Sequence, residues 1–195
     1  MENNVSAMNT QKSTVKLAKM GMLVAISIVL VALIHFPIFP AVAFLEYDPA
    51  DIPILIGTFA FGPVAGILLT VVTAVVQGVT VSAQSGLYGI LMHIIATGAF
   101  VLVAGNIYSH GEKTRKKAVI ALLCGILAMI LIMIPANLFI TPMFMGMPRE
   151  ALMPFMPFIV GFNAIKAGIN GLVTFVLYKR ISGFLKKKHC PGDCR

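Results

Sequence analysis

Charged residues divide this chain into long apolar runs, and these runs constrain its fold more than any other feature. Four of them, residues 15–36, 87–108, 118–140 and 157–177, are long enough to cross a bilayer, since about 20 helical residues span its hydrocarbon core. Only 11% of the residues are charged, whereas soluble domains carry about 25%. The sequence therefore predicts one all-α, polytopic membrane domain.

A fifth run, residues 52–81, contains no charge and is too long for one span but short for two. Its Gly62-Pro63 pair is a natural break. If the N-terminus is cytoplasmic and the chain turns at this pair, most of the 15 Lys and Arg residues fall on the cytoplasmic side, as the positive-inside rule requires. Asp48 and Asp51 then lie in an outer loop.

This charge distribution predicts six transmembrane helices with both termini in the cytoplasm. The first limb of the fifth run, residues 52–61, gives only about 15 Å of helix and must be tilted or covered by neighbours. Asp51 precedes this limb and is expected to cap its N-terminus, with Pro53 in the first turn. The resulting assignment is a cytoplasmic tail (1–14), a six-helix bundle (15–184) and a basic cytoplasmic tail (185–195).

Lys166 is the only charged residue deep in a predicted span. A charge at that depth usually faces the bundle interior and has a partner or a function. Asn163 and Asn170 lie three residues before it and four after it, which places all three side chains on one helical face. No span supplies an acidic partner, so a proton-relay antiporter is not expected. A helix–helix hydrogen-bond patch and a ligand site both fit, and Asn170 is the better candidate for a helix–helix contact.

Asn137 is a second polar candidate inside a span. Pro135 and Pro142 flank it, and prolines disturb the local helix and free backbone carbonyls. An asparagine at such a place offers both an acceptor and donors to a ligand. The remaining polar residues of the spans are expected to be packed, interfacial or solvated: His35, His93, Gln77, Gln84 and Asn106.

A row of small residues follows one side of the first span, at Ala18, Gly21 and Ala25. Such rows let another helix approach closely. The approaching helix belongs either to this bundle or to a partner.

Several functional classes lack their motifs. The chain has no GxxxxGK[ST] phosphate loop, no HExxH, no GxSxG and no paired membrane carboxylates, so we expect no ATPase or other enzyme activity. The tail HCPGDC matches no zinc pattern, so no metal site is expected. The net charge of +8 is explained by the positive-inside rule and predicts no nucleic-acid partner.

The loop FLEYDPADIP, the break FGPVAG, the small-residue row and the pair formed by Asn137 and NAIK resemble one known family over nearly the whole chain. The family is the substrate-binding (S) components of energy-coupling factor (ECF) transporters, and the likeness is to their riboflavin-binding type. The resemblance implies a bacterial plasma-membrane protein that captures riboflavin outside the cell and delivers it inward. It also implies a transmembrane coupling subunit and two cytoplasmic ATPase subunits as partners.

The resemblance also implies roles for particular residues. Asn137, Asn163 and Lys166 would bond the polar edge of the flavin ring. The outer loop would act as a lid through Phe44, Leu45, Glu46 and Tyr47. Ala18, Gly21 and Ala25 would contact the coupling subunit, although the family commonly has alanine where this row has Gly21. No cofactor is implied beyond riboflavin as cargo, with flavin mononucleotide open as a second ligand.

Three alternatives remain at this point. The chain could be an S component for another vitamin or a queuosine-type precursor. It could be a small integral-membrane enzyme, although it lacks a nucleophile–base pair. It could also be a structural membrane subunit without a ligand.

Overall fold

The computed structural model describes residues 2–186, with backbone alone for residues 2–10, 12, 179 and 181–186. The HCPGDC tail lies outside this range. The elements, in chain order, are α1 (Glu2–Leu33), β1 (Phe36–Pro37), β2 (Glu46–Tyr47), α2 (Asp51–Phe61), α3 (Pro63–Val79), α4 (Gly86–Ser109), α5 (Arg115–Met145), α6 (Arg149–Leu152) and α7 (Met156–Lys186). The predicted all-α architecture is confirmed apart from the short β1–β2 ribbon, which is antiparallel.

Four stretches of the described chain are long and apolar enough to cross a membrane. They are Ser13–Leu33, Gly86–Ser109, Arg115–Met145 and Arg149–Tyr178. They correspond to the four long runs predicted from the sequence. Helix α1 already begins at Glu2 and ends at Leu33, before the predicted end at residue 36. Phe36 precedes Pro37 and is extended in β1, as a residue before a proline usually is.

The charge-free run forms a helical hairpin. Helices α2 and α3 are shorter than the others, with 11 and 17 residues. The chain reverses at Gly62, whose φ of 95° is a conformation that glycine adopts without steric cost, and Pro63 opens α3, where its missing N–H costs nothing. Thr58 of α2 packs directly on Gly66 of α3, so the two helices run antiparallel. The predicted break is confirmed.

Aromatic and basic side chains gather at one end of the bundle, which we call the basic end. The rings of Phe59 and Tyr108 stack with centroids 4.4 Å apart, and the Tyr178 hydroxyl donates to the Phe59 carbonyl over 3.3 Å. The ammonium groups of Lys16 and Lys113 each lie 6.0 Å from an aromatic ring there. Helix α1 has its N-terminal half at this end, whereas α2, α4 and α7 have their C-terminal parts here. With α3 and α5 between them, the helix directions therefore alternate along the chain.

The helices pack as a ring around the opposite, cavity end. Helix α4 packs against α3 and α5, α5 packs against α7, and α7 packs against α2. Helix α1 covers the outside of α2 and α3. Helices α4 and α7 meet toward the basic end, where the rings of Tyr108 and Tyr178 pack edge to face, so the space between the helices lies at the cavity end.

Candidate functional site

A cavity opens at the end of the bundle opposite the basic end. It lies between α1, α3, α4, α5, α7 and the loop that precedes α2. Its lining residues are Val31, His35, Phe44, Leu45, Glu46, Asp48, Ala74, Gln77, Gly78, Ser82, Ser85, Tyr88, Gly89, Ile90, Met92, His93, Ala96, Thr97, Met129, Met133, Ile140, Thr141, Phe144, Phe162, Asn163 and Lys166. A mostly apolar wall with a few converging polar groups is typical of a small-molecule site.

The loop before α2 and the first residue of that helix carry two carboxylates, those of Asp48 and Asp51, into the protein interior. The Asp48 side chain accepts a hydrogen bond from the Ala50 amide over 3.1 Å, which fixes a local turn. Asp48 is 5% exposed and Asp51 is fully buried. Both acids are buried because this part of the chain folds back into the bundle, a burial that their predicted place on the outer side did not indicate.

Lys166 is paired with Asp48. Its ammonium donates to Oδ2 of that carboxylate over 2.7 Å, and both side chains are about nine-tenths buried. The acidic partner of Lys166 therefore comes from the loop before α2 and not from a span. Burial alone would raise the pKa of Asp48, but the charge of Lys166 and the hydrogen bond from its ammonium outweigh burial and hold that pKa below its ordinary value.

Asp51 is satisfied by neutral donors from two helices. The Thr97 hydroxyl donates to its Oδ1 over 2.6 Å, and the Asn170 amide donates to its Oδ2 over 2.9 Å. The same amide nitrogen reaches the Asp48 carbonyl at 3.2 Å, while the Tyr47 hydroxyl donates to Oδ1 of Asn170 over 3.0 Å. Asn170 therefore joins α7 to the start of α2, which confirms its predicted role as a helix–helix contact.

These bonds link six side chains beneath the cavity into one cluster, which we call the floor network: Tyr47, Asp48, Asp51, Thr97, Lys166 and Asn170. Burial, followed by the negative charges of Asp48 and Asp51, raises the pKa of Tyr47, so its hydroxyl stays protonated as a donor. The predicted capping role of Asp51 is wrong. The N-cap is Ala50, which makes no side-chain cap, and the Asp51 carboxylate is directed to α4 and α7 instead.

The two asparagines of the predicted ligand set occupy different positions. Asn163 lines the cavity, and its amide donates to the Ile159 carbonyl over 2.8 Å. Asn137 is fully buried within the continuous helix α5 and does not line the cavity. Its amide donates to the Met133 carbonyl, and its oxygen accepts from the Thr141 hydroxyl over 3.0 Å. Asn137 thus orients a hydroxyl that does line the cavity.

The predicted lid residues divide into two groups. Phe44, Leu45 and Glu46 line the cavity. Tyr47 does not, because its hydroxyl points to Asn170 in the floor network. Alternation along the short strand β2 explains the division, since successive side chains of a strand point to opposite faces.

Three polar residues of the cavity were not predicted to line it: His35, Gln77 and His93. Gln77 was expected to be solvated near a helix end, and the two histidines were expected to be packed or interfacial. Gln77 is 8% exposed. The only available signal was its position inside the charge-free run, where a polar side chain needs a partner or a cavity.

The predicted coupling row lies on the outside of α1. Ala18, Gly21 and Ala25 are all exposed. Within the described part of the chain, no atom outside the local helix comes within 4 Å of a methyl group placed on Gly21. The row, which we call the α1 row, is therefore not a packing surface within this bundle.

Three comparisons with known proteins agree with one another. Residues 15–178 match the family described as the substrate-specific component of ECF transporters. The riboflavin transporter RibU of Staphylococcus aureus (strain TCH60) is 29% identical over 192 residues, which cover 95% of this chain and 99% of that protein. The riboflavin transporter FmnP of Bacillus subtilis (strain 168) is 32% identical over 120 residues, which cover 60% of this chain and 62% of that protein.

The fold has a solved counterpart. A structure described as the S component of a bacterial ECF transporter superposes with a TM-score of 0.75 and 31% sequence identity. The match covers 88% of this chain and 98% of that one.

Proposed function

Because the chain belongs to the substrate-specific components of ECF transporters, a family of transport proteins and not of enzymes, we propose that it captures riboflavin and delivers it into the cell. It is a multi-pass protein of the bacterial cell membrane. Its relatives in Staphylococcus aureus and Bacillus subtilis are named riboflavin transporters.

The observation that carries the proposal is a mostly apolar cavity into which α7 presents the hydrogen-bond donors of Lys166 and Asn163. Isoalloxazine has carbonyls and an N–H along one edge and an apolar dimethylbenzene body. Lys166 has three ammonium hydrogens, of which Asp48 takes one, so two remain for ring carbonyls. Asn163 keeps one amide hydrogen and its oxygen for the same edge, while Met129 and Phe162 supply apolar wall.

The loop before α2 is proposed as the lid of this site. Phe44, Leu45 and Glu46 line the cavity directly, and Asp48 joins the same loop to Lys166. A ligand that bonds Lys166 therefore touches a group already tied to the lid. Asn137 contributes indirectly, through the Thr141 hydroxyl that it orients.

The proposed arrangement in the membrane has six spans, both termini in the cytoplasm and the cavity outside. The alternating helix directions support it, as do Lys16 and Lys113, which lie at the end opposite the cavity and follow the positive-inside rule. The α1 row is proposed to contact a transmembrane coupling subunit. Two cytoplasmic ATPase subunits would supply the ATP hydrolysis for which this chain has no motif.

Flavin titration of the purified protein tests the proposal. Riboflavin fluorescence should be quenched to saturation by the wild-type protein in detergent, and Lys166→Ala should abolish saturation at the same concentrations. Lys113→Ala, at the basic end, is the matched control and should titrate like the wild type. A monodisperse wild-type protein that leaves riboflavin fluorescence unchanged would remove the assignment, and a panel of other vitamins would then identify the ligand.

A further inference from the structure

The cavity wall formed by α3 and α4 contains two buried polar atoms without partners in the described part of the chain: Oε1 of Gln77 and Nε2 of His93. The Gln77 amide nitrogen is 3.5 Å from the Ser82 hydroxyl, the limit of a hydrogen bond. The nearest oxygen of Asp51 is 3.9 Å from His93 Nε2, which is too far for a hydrogen bond. Both side chains line the cavity.

This wall belongs to helices other than the one that carries the ring-edge donors. Lys166 and Asn163 are on α7, whereas Gln77 is on α3 and His93 is on α4, where its Nε2 lies 3.9 Å from Asp51 of the floor network. A ligand whose polar ring edge is bonded by α7 leaves Gln77 and His93 to be paired by another part of the same ligand.

The chemistry of the α3–α4 wall is that of a hydroxyl-binding surface. An amide offers an acceptor and two donor hydrogens, and a neutral imidazole offers one acceptor and one donor. A hydroxyl group donates and accepts at once, so it matches both. Buried polar atoms are nearly always paired in native proteins, and rotation about the last side-chain bond of Gln77 is enough to present either end of its amide to a ligand.

We propose that Gln77 and His93 form a subsite for the polyhydroxylated chain that riboflavin carries on its ring. The inference rests on the proposed function and goes beyond it, since it assigns the ring edge to side chains of α7 and the polyol to side chains of α3 and α4. Ser82 and Ser85 also line the cavity and add two more hydroxyl groups to it.

Two ligands distinguish binding of the ring from binding of the polyol. Lumiflavin has the same ring system as riboflavin but carries a methyl group in place of the polyol. Gln77→Met and His93→Leu remove the hydrogen-bonding groups and keep an apolar side chain. Each should weaken riboflavin binding about three- to tenfold, the effect of one lost hydrogen bond, and should leave lumiflavin binding within about twofold. Gln84→Met, at an exposed residue outside the cavity, is the matched control and should change neither affinity.

Lumiflavin binding by each variant also reports whether its site is intact. Equal losses for both ligands would show a packing role for Gln77 and His93 and would overturn the subsite. Unchanged riboflavin binding would overturn it as well. Failure of the proposed function has a different signature, because the wild-type protein would then bind neither flavin. Gln77→Asn, which keeps an amide on a shorter side chain, should recover part of the riboflavin affinity lost in Gln77→Met.

Discussion

The floor network and the α1 row represent two opposite ways in which a membrane bundle treats small or polar residues. In the floor network, each charged carboxylate is bonded to a partner from the same chain, so the cluster is complete within one subunit. In the α1 row, small side chains lie on an open helix face that no described part of the chain covers. The first pattern holds a loop and three helices together, α2, α4 and α7, and the second leaves room for another helix. Ligand capture and partner coupling can therefore be disrupted separately.

The largest expected effect comes from opening the floor network at its ion pair. Lys166→Ala leaves the Asp48 carboxylate buried without a counter-charge, which typically costs about 3–5 kcal/mol. We expect a large fall in the thermal unfolding midpoint in detergent, together with the loss of flavin binding. The double variant Lys166→Met with Asp48→Asn should recover much of the stability but not the binding.

A double-mutant cycle built from Lys166→Met, Asp48→Asn and their double variant gives the coupling energy between Lys166 and Asp48. Groups in contact show non-additive effects, whereas Lys113→Ala combined with Asp48→Asn should be additive within about 0.5 kcal/mol. Additive behaviour of the Lys166 and Asp48 variants would contradict the ion pair.

The second effect should fall on uptake alone. Gly21→Leu adds a bulky side chain to the α1 row, so we expect riboflavin uptake by cells to fall at least about tenfold, the equivalent of 1.4 kcal/mol at the coupling contact. Flavin affinity and unfolding midpoint of the purified protein should stay unchanged, because Gly21 is exposed and distant from the cavity. Gly21→Ala keeps the residue small and is the control. Full uptake by the leucine variant would show that α1 faces only lipid.

A smaller effect should separate the two faces of strand β2. Tyr47→Phe removes one hydrogen bond to Asn170 and should cost about 0.5–1.5 kcal/mol of stability, with little change in flavin affinity because Tyr47 does not line the cavity. Phe44→Ala removes a cavity wall and should weaken flavin binding more than it lowers stability. If flavin titrations showed weaker binding by Tyr47→Phe and unchanged binding by Phe44→Ala, then Tyr47, and not Phe44, would contact the ligand.

The helices could be predicted from the sequence because their signals are local. Run length located the four long helices, and the Gly62-Pro63 pair located the hairpin between α2 and α3. Helical spacing also placed Asn163, Lys166 and Asn170 on one face, and that face now meets the cavity and the floor network. Each of these features depends on neighbours within a few residues.

The missed features depend on contacts between distant parts of the chain. The pairing of Lys166 with Asp48 joins residues 118 positions apart, and hydropathy assigns an acidic loop to water. Gln77 was missed because a polar residue near a helix end has the same pattern whether it meets solvent or a cavity. The free-energy cost of burying Lys166 could have indicated the pair, because a buried ammonium needs a carboxylate partner. The predicted spans have no acid, so the acids next to the start of α2 were the candidates.

The smallest expected effect is a dependence of stability on acid pH. The pKa of Asp48 is below its ordinary value of 3.8, so its ion pair contributes fully above that value and is lost as the pH falls through the lower, folded-state pKa. The other titratable groups near Asp48 are Lys166, Tyr47, His93 and Asp51. At pH values below about 4, we expect the thermal unfolding midpoint of the wild type to decrease. The Asp48→Asn variant should have a lower midpoint at neutral pH, and its midpoint should decrease less as the pH is lowered. Thermal unfolding between pH 3 and 5 measures both slopes, and parallel curves would mean that another carboxylate controls the acid response.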